Sequence, residues 1–299
     1  MRVAITGASG MIGRSLVAAL RTDGHAVVRL VRRPDAGRAP DAAYWDPASG
    51  TIDMERLRDV DAVVHLAGES LVGVWTAAKK RRIRDSRVQG TALIARAAAA
   101  LDPRPAALLS ASASGWYGDR PAEEALDEES PSGTGFLAET ARAWEAAASP
   151  AADAGVRVAY LRSGMVLTRE GGALRPLLPL FRLGLGGRLG SGRQPWSWIS
   201  LDDEIGAIRH VLEREDLAGP VNLVAPEATT NRTFTAALGR AVRRPTVFVA
   251  PGFALRLVAG EMAEQMLLGG QSVVPRRLLA SGYRFRHPTL DQALGAIVA

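Results

Sequence analysis

Residues 6 to 13 read Thr6-Gly7-Ala8-Ser9-Gly10-Met11-Ile12-Gly13. The residues before them, Arg2 to Thr6, have the pattern of a short β-strand, and Met11 to Thr22 have that of an amphipathic helix. Glycines at this spacing between a strand and a helix form the fingerprint of a dinucleotide-binding turn. Gly7 permits the tight turn, Gly10 lets the backbone approach a pyrophosphate, and Gly13 allows close packing of helix on strand. The free amides at the helix start, in the run Ser9 to Gly13, face the phosphates, and the helix dipole favours negative charge there.

The units that follow repeat this alternation. Strand patterns cover His25 to Val31, Ala62 to Leu66, Ala106 to Ser112 and Val156 to Leu161. Helical patterns cover Ala77 to Leu101 and Gly135 to Ala154. Such alternation predicts an α/β fold, a doubly wound parallel sheet of Rossmann type with helices on both faces. The organisation changes near Thr168. Gly171 to Gly192 is rich in Gly, Leu and Arg, Pro220 to Leu223 reads as a strand returning to the sheet, and a final helix begins near Thr289. We read residues 1–168 as the dinucleotide-binding domain and residues 169–299 as a smaller C-terminal lobe that closes over the substrate.

Cofactor choice is set at the end of the second strand, where NAD sites carry an acid for the ribose hydroxyls and NADP sites an arginine for the 2′-phosphate. Here Val27-Val28-Arg29-Leu30-Val31 runs into Arg32-Arg33-Pro34, and no acid follows until Asp35. A planar guanidinium suits a phosphate, so Arg32 and Arg33 point to NADP(H).

Composition limits other chemistries. The 299 residues include no cysteine, which excludes disulfides, thiolate catalysis and Cys-based metal sites. No two of His25, His65, His210 and His287 stand at metal-pair spacing, and no metal site is expected. The net charge is +6, but apart from Lys79 and Lys80 the basic residues are arginines spread along the chain. The run Lys79-Lys80-Arg81-Arg82-Ile83-Arg84 lacks interleaved aromatics and reads as a solvated helix face, so no nucleic-acid partner is expected. The first strand begins too early to leave room for a signal peptide. The apolar stretch Thr246 to Gly260 is broken by Pro251, Gly252 and Arg256 and is too short to span a bilayer. The expected location is the cytoplasm, without a membrane partner. Oligomeric state is not legible.

These residues resemble the extended short-chain dehydrogenase/reductase superfamily. His65-Leu66-Ala67-Gly68 looks like its fourth-strand signature, whose backbone lines the cofactor, and Arg87-Val88-Gln89-Gly90-Thr91 resembles its Asn-x-x-Gly-Thr helix motif. By that resemblance Leu66, Ala67 and Gly68 line the cofactor, and Arg87, in place of Asn, points at its phosphates or ribose. Glu69, following Gly68, is read as making a ribose or backbone hydrogen bond, with a buried acid near the nicotinamide as the alternative. Ser200-Leu201-Asp202-Asp203 resembles a turn before a helix of the substrate lobe; Asp202 and Asp203 are read there as a helix N-cap, with an acid/base pair as the alternative. The sequence is most similar to an atypical, sugar-nucleotide epimerase-like branch with a C-terminal domain of unassigned function. The resemblance rests on Trp45-Asp46-Pro47, Leu66-Ala67-Gly68-Glu69, Ser86-Arg87, Trp116-Tyr117-Gly118, Leu161-Arg162-Ser163-Gly164, Trp198-Ile199, the glycines of 184–192 and, above all, Gly269-Gly270-Gln271-Ser272-Val273-Val274-Pro275.

The sequence departs from the superfamily at its reaction centre. Typical members use a Ser with a Tyr and Lys spaced Y-x-x-x-K, the Lys lowering the Tyr pKa so that the phenol exchanges a proton. The corresponding positions here are Ala113, Phe136 and Thr140, with Ser112 and Ser114 flanking the first. Tyr117 is the remaining candidate for proton transfer, unless it packs the base of the cleft. Arg162, Arg188, Arg193, Gln194, Trp196 and Trp198 suggest an anionic or sugar-bearing ligand. Three functions are open at this stage. One is an NADP-dependent oxidoreductase or epimerase-like enzyme on a small polar or nucleotide-linked substrate. Another is a non-catalytic NADP(H)-binding redox sensor or regulatory protein. The last is a nucleic-acid-binding module.

Overall fold

The structure, a computed structural model, describes residues 1–298. Its centre is an eight-stranded sheet. The strands are β1 (Arg2–Thr6), β2 (Ala26–Val31), β3 (Ala42–Asp46), β4 (Thr51–Ile52), β5 (Ala62–His65), β6 (Ala107–Ala113), β7 (Arg157–Ser163) and β8 (Gly219–Leu223). Their order is β8-β7-β6-β5-β1-β2-β3-β4, with every pairing parallel except β3 to β4. The chain winds outward from β1 through β2 and β3, then crosses back to place β5 on the other side of β1. That reversal opens a crevice at the carboxyl ends of β1 and β5, where ligands of doubly wound sheets bind.

Alternation along the strands builds two cores. Val3, Ile5, Val64 and Leu109 face helices α1 (Met11–Thr22) and α6 (Leu201–Glu213) through Leu16, Leu20, Ile208 and Val211. Ala4, Val63 and Leu108 face the opposite side, against Leu93, Ile94 and Ala98 of α2 (Ala77–Ala100). The helix read from Gly135 to Ala154 is two helices, α3 (Phe136–Ala146) and α4 (Ser149–Asp153). Pro150 explains the break. It has no N–H for the preceding turn but is tolerated in the first turn of a new helix.

Beyond residue 168 the chain does not form one separate unit. α6 packs on the sheet and β8 joins its edge beside β7, the returning strand read at Pro220 to Leu223. A third core unites Leu174, Leu178 and Phe181 of α5 (Leu174–Arg182), Trp198, Phe234 of α7 (Asn231–Ala241), and Leu290 and Leu294 of the last helix. The tail returns too, where Ser272–Val273 pairs in parallel with Ala125–Leu126.

The start of α6 fastens that tail. Ser200, not an aspartate, is the N-cap, its Oγ accepting from the Asp203 amide at 3.1 Å. The Asp203 carboxylate accepts from the Ser200 hydroxyl at 2.7 Å, and from the Arg286 and His287 amides at 2.6 and 2.9 Å. Asp202 points outward, 3.4 Å from Arg286. The two acids are therefore not an acid/base pair, and the cap assigned to them belongs to Ser200.

The next residue, Glu204, is fully buried and accepts from the Ser163 hydroxyl at 2.7 Å, while its second oxygen has no hydrogen-bond partner among the described residues. Burial pushes its carboxyl up to about 7, the Ser163 hydrogen bond opposing. The folded chain thus keeps a proton that the unfolded chain has released. This contribution to stability is full below about pH 4.5 and is lost as pH rises through 7, a change on the order of 3 kcal/mol. Glu204→Gln is expected to raise the melting temperature at pH 8 and to change it little at pH 5, as thermal denaturation at the two values will show.

Candidate functional site

The glycine turn lies at the crevice between β1 and β5. Gly7 has φ +65°, and a Cβ there would sit 2.9 Å from the carbonyl carbon of Leu66. A Cβ on Gly13 would clash with the Gly7 oxygen and come within 2.8 Å of the Ala8 Cα. The Gly10 amide donates to the Gly7 oxygen at 2.9 Å, closing the turn, and Ser9 accepts from Arg14 through its carbonyl at 3.1 Å. No side chain caps α1. The amides of Met11, Ile12 and Gly13 thus leave the helix end without an intrahelical acceptor. A backbone surface with no Cβ in the way and with free amides along a dipole is an anion cradle.

The loop after β5 forms the second wall. Buried Thr6 accepts through Oγ1 from the amides of Leu66 at 3.0 Å and Ala67 at 3.2 Å. With its lone pairs engaged, the Thr6 hydroxyl donates to His65 Nδ1 at 2.8 Å, and the imidazole carries its proton on Nε2. Burial drops the His65 pKa to about 3, so the ring is neutral and is a strut of this loop.

Arg87 lies beneath the same loop. Its Nη1 donates to the carbonyls of Glu69 at 2.9 Å and Ile83 at 3.1 Å, and its guanidinium stands 4.9 Å over Trp144. A Cβ on Gly68 would be 3.3 Å from the Arg87 Cζ. Desolvation brings the Arg87 pKa down to about 10, with Glu69 opposing. Arg87 has no carboxylate in ion-pair contact among the described residues, so a bound anion would relieve its desolvation. The Glu69 carboxylate is already engaged, paired with Lys79 at 2.7 Å. That hydrogen bond holds it below the usual carboxylate range, with Arg82 and Arg32 adding their charge. Lys79 is only 13% exposed and Lys80 pairs with Glu261 while lying 4.7 Å over the Phe136 ring. The solvated face expected of these lysines is instead a set of ties to the cofactor loop and to the tail.

Arg32 and Arg33 follow β2 on the surface beside this crevice, and they differ. Arg33 is bound to Asp35 through Nε at 3.2 Å and Nη2 at 2.5 Å. Arg32 has no ion-pair partner among the described residues, and its charge reaches both Glu69 and Asp46. Of the two, Arg32 is the one not held by a carboxylate among the described residues.

Tyr117 does not line the cleft. Its side chain is fully buried, its hydroxyl donates to Asn222 Oδ1 at 2.7 Å and accepts from Arg162 Nη1 at 3.1 Å, and burial pushes its pKa up. A phenol sealed on both sides cannot reach a substrate, so the catalytic role read for Tyr117 is withdrawn. It belongs to a buried network. Glu145 takes a bidentate pair from Arg162 at 2.8 and 2.9 Å and the Ser112 hydroxyl at 2.7 Å, and Arg162 stacks 3.9 Å over Trp116. The sequence reading missed Glu145 and Asn222, since nothing in the linear order joins them to Arg162 and Tyr117.

The other residues read for a substrate are also largely structural. Gln194 donates to the carbonyls of Leu189 and Leu267, Arg188 to those of Gly190 and Ser191, Trp198 is buried, and Trp196 packs edge-on to Phe234 at 5.3 Å. Arg193 is exposed. Phe136 packs edge-on to Trp75 at 5.2 Å, and Thr140 is buried. Among the described residues there is no His/Asp/Glu cluster for a metal, and no helix is long and apolar enough to cross a membrane.

Comparison with known proteins agrees with this architecture. Residues 3–224 match the model of the NAD dependent epimerase/dehydratase family, and residues 250–297 match a domain of unknown function, DUF1731. The epimerase family protein Mb2239 of Mycobacterium bovis is 46% identical over 98% of this chain and 96% of its own length. The crystal structure of human epimerase family protein SDR39U1 with NADPH superposes with a TM-score of 0.91 at 36% identity, covering 100% of this chain and 99% of that one. A nucleoside-diphosphate sugar epimerase from Corynebacterium glutamicum, also 36% identical, gives 0.80 over 99% of this chain and 59% of its own. With its Rossmann sheet, its glycine cradle and its C-terminal domain, the chain belongs to the NAD dependent epimerase/dehydratase family, in the extended short-chain dehydrogenase/reductase group that includes SDR39U1.

Proposed function

We propose that this chain is an NADP(H)-dependent oxidoreductase or epimerase-like enzyme acting on a small polar or nucleotide-linked substrate without the usual Ser/Tyr/Lys set. The observation that carries the reading is the uncapped start of α1, where Gly7 and Gly13 admit no Cβ and an unpaired arginine, Arg32, follows the neighbouring strand. The residues fit the cofactor. Gly7, Ser9, Gly10, Met11, Ile12 and Gly13 would cradle the pyrophosphate through backbone groups, Arg32 would take the 2′-phosphate, and Arg87 would place its desolvated charge under the loop Leu66-Ala67-Gly68. The human relative crystallised with NADPH supports the choice of cofactor, and the Corynebacterium relative's name supports the substrate class.

When bound, the nicotinamide supplies hydride chemistry. This chain's residues bind and orient it and exclude water. Ala113, Phe136 and Thr140 exchange no proton, and Tyr117 is sealed, so proton transfer falls to another group of the cleft or to the substrate.

The apolar packing of Phe136 on Trp75 favours a second reading, a non-catalytic NADP(H) sensor. Turnover separates the two. An enzyme oxidises NADPH or interconverts epimers when given nucleotide sugars, whereas a sensor does neither and changes a partner's binding with cofactor redox state.

Fluorescence titration is expected to show tight binding of NADPH and weak binding of NADH. Arg32→Ala should weaken NADPH binding by about tenfold to a hundredfold, a charge-assisted contact being worth roughly 1.5–3 kcal/mol, and leave NADH unchanged. Equal losses for both would remove Arg32 from the 2′-phosphate site. Tyr117→Phe is expected to lower unfolding free energy by about 1–3 kcal/mol in urea titrations, because Arg162 and Asn222 each lose a buried partner, with NADPH affinity preserved.

A further inference from the structure

The stretch Thr246 to Gly260 is too short and too broken to span a bilayer, yet the fold turns its large apolar side chains outward. In the helix Gly252–Ala259 no residue is buried. Phe253 and Leu257, one turn apart, are 73% and 85% exposed, and Arg256 lies between them on the same face. The strand Phe248–Ala250 just before it pairs with Gly187–Leu189, which brings the exposed Leu183 and Leu185 alongside Val247 and Phe248. The Arg244 side chain donates to the Arg182 carbonyl at 3.0 Å and fixes the two segments side by side. Most of the exposed large hydrophobics of the chain thus collect on one edge of the C-terminal lobe.

The charge on this edge is mainly positive, the acid Glu264 being tied to Arg256. Residues 174–193 and 243–258 contain seven arginines and no aspartate or glutamate. Arg182, Arg243 and Arg256 are exposed, and of these only Arg256 has an ion-pair partner among the described residues, Glu264. A second copy of the chain meeting this edge across a two-fold axis would oppose arginines to arginines. The apolar side chains project on several sides of a short helix and from consecutive strand positions, and a fluid surface takes up such an arrangement without a complementary groove. We propose that this edge docks the protein on an anionic lipid surface, Phe253, Leu257, Val247 and Leu183 entering the headgroup boundary while the arginines meet lipid phosphates.

The test is co-sedimentation of the purified full chain with vesicles of phosphatidylcholine alone or mixed with phosphatidylglycerol, at low and high salt. Binding is expected to the mixed vesicles, with release by salt. The double variant Phe253→Ser/Leu257→Ser, whose positions are exposed and whose folding is checked by circular dichroism and melting temperature, should lose more than about tenfold in vesicle partition while NADPH binding is retained. The proposal is overturned if anionic lipid adds nothing over phosphatidylcholine, or if the variant partitions like the parent. It is equally overturned if sedimentation velocity finds the parent dimeric and the variant monomeric, which would assign the edge to a second copy. Failure to bind vesicles with capture of an acidic protein through the same residues would assign it to that partner.

Discussion

The contact between the start of α1 and the ends of β1 and β5 leaves no volume for a side chain, and the rest of the site follows from it. Gly13 rests on the backbone of Gly7 and Ala8, and Gly7 rests on the backbone of Leu66. Because the chain passes so close to itself, the helix starts at the crevice with its amides bare and its dipole aimed at the ligand position. Thr6 then ties the loop after β5 to β1, and Arg87 supports that loop from below. A bulkier residue at either glycine would separate two backbones and undo the sheet edge and the anion cradle together.

A second constraint acts in the buried polar network of the sheet. The Glu145–Arg162 pair is nearly solvent-free, and such a pair is stable only when its remaining donors and acceptors are met. Ser112, Tyr117 and Asn222 meet them, and Trp116 covers the guanidinium. This polar network joins α3, β6, β7 and β8. The glycine turn is held by close backbone contacts, and the polar network is a structural joint between the sheet and α3.

The C-terminal segment works as a clasp. It pairs Ser272–Val273 with Ala125–Leu126, anchors Arg286 and His287 on Asp203, and sets Glu261 against Lys80. These ties hold the tail across the sheet domain while the helix Gly252–Ala259 and its strand stay uncovered. Segments bound at both ends with an exposed apolar middle are poised for a partner rather than for the core.

Local order alone determined the β1–turn–α1 unit, the βα alternation that followed and the arginine after β2, because period, turn residues and glycine spacing are properties of neighbours in the chain. The resemblance added the loop Leu66 to Glu69, Arg87 and the C-terminal domain. The strand Ala42–Asp46, short and set behind a proline-bounded loop, had no such local signal, and Pro150 divided a helix that otherwise read as continuous. Tertiary structure decided what each polar residue does. Tyr117 had a plausible position for chemistry, but only packing shows that Asn222, 105 residues away, and Arg162 seal its hydroxyl. Lys79 and Lys80 read as a solvated run until Glu69 and Glu261 are brought beside them, and Asp203 read as a cap until the tail folds back onto it. Burial and ion pairing are set by residues remote in the chain, so they emerge only when the sheet and its clasp are assembled.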